Sequence, residues 1–133
     1  MQPLEGIRVI ELAQGIAGPY AGKLLAGYGA DVIKVEPPEG DRARHLGPWN
    51  GVENIESGAL HLHLNTNKRS VIGTSTDEHV MKLIAGADIV IQSEPSPDPT
   101  ELRKKYPSLV VVSVTSFGLT GPLAQYVGEE IIH

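Results

Sequence analysis

The chain of 133 residues contains no cysteine. That excludes disulfides, thiolate metal centres and thiol nucleophiles together. It has no cluster of four or more basic residues, and its formal net charge is -5. A broad nucleic-acid surface needs a concentrated cationic face to displace counterions, so that class of partner is not expected. No apolar run approaches the ~20 residues of a membrane helix, and no membrane association is expected. The first six residues carry neither the basic start nor the apolar stretch of a secretory signal, which makes a cytoplasmic location the expectation. Internal repeats and low-complexity tracts are missing as well.

What is present reads as one soluble α/β domain. Hydrophobic residues make up 41% and charged residues 20%, a balance suited to a packed core. Short β-rich runs alternate with helical stretches. Residues 7–12, 31–36, 89–91 and 109–114 read as strands, and 70–73 as a weaker one. A helix is expected over 18–29, with Pro19 in its first turn and Gly29 at its end. Pro37 and Pro38 stop the second strand. The mixed segment 39–67 holds Trp49, the only tryptophan, and a short helix near 55–60. Ser75-Thr76-Asp77-Glu78 matches a capping box for a helix running to Ala85. Asp98-Pro99-Thr100-Glu101 reads as another helix start. Residues 117–122 read as a loop, and Val127 opens a further helix. Strands separated by helices imply right-handed βαβ units and a mainly parallel sheet in three layers. The expected core is Val9, Ile10, Leu24, Leu25, Val32, Ile33, Leu83, Ile84, Ile89, Val90, Val111 and Val112.

Open sheets of this kind place ligands beyond the carboxyl ends of their strands. The first strand–helix turn has Gly15 and Gly18 but not the G-x-G-x-x-G spacing. The backbone at Gly18-Pro19 can present N–H groups to a phosphate or pantetheine, or be an ordinary helix start. Arg42 and Arg44 can pair with phosphates or stand in a solvated loop. Lys68-Arg69 invites the same choice. His61 and His63, two apart, would share one face of a strand and make half a metal site; without a third ligand no metal is expected. His45 and His79 have no discriminating context. Trp49 is expected to pack within its loop. Glu11 and Glu36, at strand ends, are acceptors for a ligand or simply solvated.

Five stretches in colinear order resemble the family III CoA-transferases, the group of formyl-CoA and carnitine-CoA transferases and α-methylacyl-CoA racemases. They are Pro3 through Leu12; Ala17-Gly18-Pro19-Tyr20-Ala21; Gly29 through Pro38 followed by Gly40-Asp41; Asn65-Thr66-Asn67-Lys68-Arg69-Ser70; and Ser116-Phe117-Gly118 with Thr120-Gly121-Pro122. The resemblance implies a Rossmann-like large domain, of which residues 1–133 would be the N-terminal part, coenzyme A at the C-terminal strand edges, and a homodimer of interlocked chains. It implies acyl-CoA and a small carboxylic acid as partners. The CoA-facing residues would be Ala17, Gly18, Pro19, Pro37, Arg42 and Arg69.

The chemistry so implied is CoA transfer between carboxylic acids. An enzyme carboxylate attacks the thioester, an anhydride forms, and CoA passes to the enzyme and then to the acceptor acid. The family's aspartate nucleophile would lie about thirty residues beyond a helix start resembling Gly128-Glu129-Glu130, past His133, so the chain alone is expected to be inactive. Glu130 would shape the site. The racemases carry a histidine base where this chain has Glu129, which argues against racemisation. After strand 89–91 the family carries an Asn-Phe pair, a Pro-Gly turn and an arginine; here Gln92-Ser93-Glu94-Pro95-Ser96-Pro97-Asp98 stands instead, several residues short. That departure keeps a second reading open, a non-catalytic acyl-CoA-binding or dimer-forming module.

Overall fold

The structure, a computed structural model, describes residues 1–126 and Gly128. In chain order it contains β1 (Arg8–Leu12), α1 (Ala17–Gly27), β2 (Asp31–Glu36), a 3-10 turn (Arg42–His45), α2 (Ala59–Leu64), β3 (Arg69–Ile72), α3 (Glu78–Ala85), β4 (Ile89–Gln92), α4 (Pro99–Lys105) and β5 (Val110–Ser113). The strands pair in the order β3-β2-β1-β4-β5, and every pairing is parallel. This is the α/β architecture expected from the alternation of strand and helix patterns.

The pleat sorts the strand residues into two cores. Val9, Val32 and Ile91 face α1, where Ala13, Ala26 and Ala30 meet them. Ile10, Ile33, Val35 and Val90 face the other way and pack with Val80 and Ile84 of α3, Leu102 of α4, and Leu109. The central strands β1, β2 and β4 are therefore buried on both faces, as parallel sheets generally are, while the edge strands β3 and β5 are largely exposed. The three central strands read as apolar runs for that reason. α1 ends against the sheet through Gly29, which adopts φ +101° just past the helix and lets the chain turn into β2.

Several expectations are corrected. Leu24 is on the outer side of α1 and 46% exposed, and Val112 is 42% exposed. By strand alternation Val112 lies on the α1 side of the sheet, while α1 covers β1, β2 and β4. Leu25, Leu83, Ile89 and Val111 are half-buried. The short helix begins at Ala59 rather than near 55. Asn54 Oδ1 accepts the Glu56 N–H and the Ser57 hydroxyl donates to the Val52 carbonyl, so these side chains hold a turn before the helix. The capping box at Ser75 does not form. Asp77 is the N-cap of α3 and accepts from the Thr74 N–H, while the Ser75 hydroxyl meets that of Ser96. Asp98 caps α4 as expected, accepting from the Thr100 N–H at 2.7 Å with Pro99 in the first turn. The helix expected from Val127 lies outside the described residues.

Candidate functional site

The strand order brings the carboxyl ends of β1, β2 and β4 together beside the start of α1. At this edge the sheet carries ionised groups. Glu11, Lys34 and Glu36 alternate with Val9 and Val32, so they project from the same face as the small residues beneath α1. Glu11 is 0%, Lys34 1% and Asp41 1% exposed. Charges seldom occupy such positions unless they are paired.

They are paired throughout. Lys34 Nζ donates to Glu11 Oε1 at 2.9 Å and to the Ala13 carbonyl at 2.9 Å, and lies 2.7 Å from Asp41 Oδ2. Lys68 Nζ lies 2.7 Å from Glu11 Oε2 and donates to the Pro19 carbonyl at 2.7 Å and to Asn65 Oδ1 at 2.8 Å. Each ammonium thus makes two hydrogen bonds and one further ion-pair contact, to Asp41 Oδ2 or Glu11 Oε2, both buried and outside hydrogen-bond geometry. Glu36 holds Arg44 through two bonds, Nε to Oε2 at 2.6 Å and Nη2 to Oε1 at 3.0 Å. It also accepts from the Ser70 hydroxyl and the Asp41 N–H. Three cations (Lys34, Lys68 and Arg44) balance three carboxylates (Glu11, Glu36 and Asp41).

Burial pushes against ionisation of Glu36, but Arg44, Ser70 and the Asp41 amide outweigh it and hold the carboxyl at about 2. Burial lowers the Lys68 ammonium, opposed by Glu11. Burial, then the positive charge of Arg44, lowers His61. The His61 ring lies 3.1 Å from Asn65 Nδ2 through its Nδ1.

A polar cavity of about 140 Å³ lies against Lys34, Glu36, Arg44, His61, Asn65, Lys68, Arg69 and Ser70. A larger hollow of about 380 Å³ between α3 and α4 touches Met81 and Leu102. Its charged rim (Asp98, Glu101, Lys104 and Lys105) is solvent-exposed. The buried polar edge is therefore the better candidate site.

α1 begins at this edge with Ile16 as N-cap, a residue with no side-chain acceptor, and no acid stands in its first turn. Its leading N–H groups and the positive end of its dipole suit an anion. Gly18 is buried against Ala13, where a Cβ would overlap the alanine methyl. The Ser93 hydroxyl accepts the Gln14 N–H at 3.1 Å, tying the β4 exit to the β1–α1 loop. Gln92 Nε2 donates to the Glu94 and Pro97 carbonyls, which fixes the short 92–98 loop.

Of the residues singled out in the sequence, Ala17, Gly18, Pro19, Pro37 and Arg42 stand at or next to this edge. Ala17 and Arg42 are exposed, Pro37 is half-buried, and Gly18 and Pro19 are buried. Arg69 is placed differently. Its guanidinium turns to Asp31, at the amino end of β2, with contacts of 2.6 Å to both carboxylate oxygens. Arg69 and then Arg8 hold Asp31 below the usual carboxylate range, against a burial cost. Arg44 is taken by Glu36. His61 and His63 lie on a helix, not a strand; His61 turns inward and the His63 ring meets Lys23 Nζ at 3.2 Å. No group of metal-holding side chains occurs among the described residues. Trp49 packs over Gly47, in the loop where it was expected to pack. Glu129 and Glu130 lie outside the described residues.

Glu11 and Glu36 are neither solvated nor open to a ligand, because lysines and Arg44 occupy them. The members that residue-by-residue reading passed over are Lys34 and Asp41; Lys68 enters it only as a possible phosphate partner. The available signal was a lysine inside the apolar run Val32-Ile33-Lys34-Val35, where burial forces a partner.

Residues 4–133 match the family model described as CoA-transferase family III. The succinate–glutarate CoA-transferase of Agrobacterium fabrum is 43% identical over 147 residues, covering 98% of this chain and 36% of that protein. The succinyl-CoA:(R)-benzylsuccinate CoA-transferase subunit BbsE of Thauera aromatica is 37% identical over 145 residues, covering 98% of this chain and 34% of that one. The crystal structure of a CaiB/BaiF family protein from Brucella suis superposes with a TM-score of 0.87 at 40% identity, covering 98% of this chain and 38% of that chain. The chain spans roughly a third of the length of the curated relatives it matches.

Proposed function

This chain belongs to CoA-transferase family III, and on that premise we propose that it forms the CoA-facing part of an enzyme that moves CoA between carboxylic acids. The observation that carries the reading is the first turn of α1. It has no side-chain cap, and it stands at the carboxyl edge of the parallel sheet on a buried framework of ions. Such a surface can hold a phosphate or a thioester oxygen without rearranging when the ligand arrives.

In this reading Ala17 and Gly18 offer backbone N–H groups, Pro19 sets the direction of the first turn, Pro37 stiffens the β2 exit, and Arg42 reaches a CoA phosphate. Arg69 serves as the tie to Asp31. The attacking carboxylate comes from sequence outside these residues, and Glu130 shapes its surroundings. The donor class is an acyl-CoA and the acceptor a small carboxylic acid; the names of the relatives make a dicarboxylate such as succinate or glutarate the first to try. The proposal includes a homodimeric full-length form and a cytoplasmic setting. Among the described residues no helix is long and apolar enough to cross a membrane.

A non-catalytic CoA-binding role has one observation in its favour. The β4 exit is a short loop closed by Gln92, with Glu94 exposed to solvent.

Calorimetry with CoA, alongside incubation of the chain with succinyl-CoA and glutarate, tests both readings. CoA should bind, Arg42→Ala should weaken it by about ten- to a hundredfold, the worth of one charge-assisted bond, and the 133 residues alone should not transfer CoA. A folded chain with no affinity for CoA would remove the proposal.

A further inference from the structure

Two lysines, Lys34 of β2 and Lys68 just before β3, share one carboxylate, one of them holding the start of the β1–α1 loop and the other the first turn of α1. Lys34 binds Glu11 Oε1 and the Ala13 carbonyl, each at 2.9 Å. Lys68 binds Glu11 Oε2 and the Pro19 carbonyl, each at 2.7 Å. Residues 14–18 are the span between those two carbonyls, and they include Ala17 and Gly18, the first two residues of α1. Lys68 is aimed by its own turn. Asn67 adopts a left-handed φ of 65°, the Lys68 N–H bonds the Asn65 carbonyl, and Asn65 Oδ1 accepts a hydrogen bond from the ammonium.

We propose that Lys68, working through Glu11, is a positioning residue of the CoA-facing edge. It touches no ligand, yet it sets where the first amides of α1 stand. The inference rests on the reading of that edge as the CoA site. Stability alone does not explain the arrangement, since buried ion pairs are often replaced by apolar side chains of similar volume without loss. What the ammonium supplies and a methyl group cannot is a directional bond to the Pro19 carbonyl, within the turn that faces the ligand.

The test uses Lys68→Met and the double variant Glu11→Gln/Lys68→Met. The single variant leaves Glu11 with a carboxylate oxygen buried and unpaired. The double variant removes one charge of each sign and keeps Lys34 with Asp41. Urea unfolding, CoA calorimetry and amide hydrogen exchange at residues 20–23 are measured on each. The single variant should unfold at lower urea, and the double variant should recover much of that loss. CoA affinity should stay about tenfold below wild type in both, the worth of one hydrogen bond, and exchange at residues 20–23 should remain faster. A double variant that regains stability, affinity and slow exchange together would reduce Lys68 to a structural role and overturn the proposal. If the unaltered chain does not bind CoA, the CoA reading falls and the exchange rates alone judge the clamp. Unchanged exchange in the double variant would then reject it; faster exchange would uphold it.

Discussion

Gly22 of α1 lies directly against the Glu11 carboxylate of β1, so closely that a Cβ on Gly22 would overlap Oε2. The carboxylate cannot swing aside, because Lys34 and Lys68 hold its two oxygens in a buried site. Gly22→Ala should therefore destabilise the chain by about 1–3 kcal/mol, the usual cost of overpacking. Gly27→Ala, in the same helix with open space around its α-carbon, should be neutral or mildly stabilising. Urea midpoints compare the two, and equal midpoints would contradict the close approach.

Acid should unfold the chain partly through Glu36. Its carboxyl stands near 4.5 when free and is held at about 2 in the fold, by Arg44, Ser70 and the Asp41 amide against the cost of burial. A depressed carboxyl contributes stability that is complete above about pH 4.5 and disappears as pH falls toward 2. The shift corresponds to about 3 kcal/mol. Urea unfolding between pH 7 and 2 should show this decline. Glu36→Gln should start lower at pH 7 and lose less on acidification; parallel profiles would rule out the contribution.

Lys34→Met should be among the most damaging single changes in the sheet. Lys34 is the only cation within 4 Å of Asp41 among the described residues, and it shares Glu11 with Lys68. Breaking a buried pair by removing one partner costs about 3–5 kcal/mol. Adding Asp41→Asn removes the stranded charge and should return part of that loss. Thermal unfolding of the single and double variants decides the point, and a double variant no better than the single would show that Asp41 is not the group left unpaired.

Arg69 and Arg42 should separate cleanly. The Arg69–Asp31 pair is exposed, with 64% and 36% of the two side chains accessible. Arg69→Ala should cost no more than about 1 kcal/mol and leave CoA affinity within about twofold, whereas Arg42→Ala should lower affinity without changing the urea midpoint. Affinity lost at Arg69 and kept at Arg42 would move the phosphate contact from Arg42 to Arg69.

The three central strands were legible because strands buried on both faces must be written in apolar residues. Val9-Ile10, Val32-Ile33 and Ile89-Val90-Ile91 cannot serve an exposed surface, and Gly29, Pro37 and Asp98 mark ends that backbone sterics and capping enforce. The short helix slipped by a few residues because Asn54 and Ser57 hold a turn through side-chain bonds that periodicity does not register. Leu24 misled because an apolar residue on a helix need not face the core. The likeness to the family lay in the colinear motifs, which remain in order however the chain folds.

The site was another matter. A sequence lists Glu11, Lys34, Asp41 and Lys68 as separate charges, and even Lys34, whose apolar run demands a partner, does not say which one. Only parallel pairing, which sets Glu11 opposite Lys34, and the turn at Asn67, which brings Lys68 beneath α1, make one neutral and buried network of them. The same pairing brings the Arg69 guanidinium to Asp31, a partner that its motif does not announce. Strand composition is dictated by local burial and can be read one residue at a time. The pairing of charges depends on which strands become neighbours, and that is decided when the β1–α1–β2 crossover closes and excludes water from the groups beneath it.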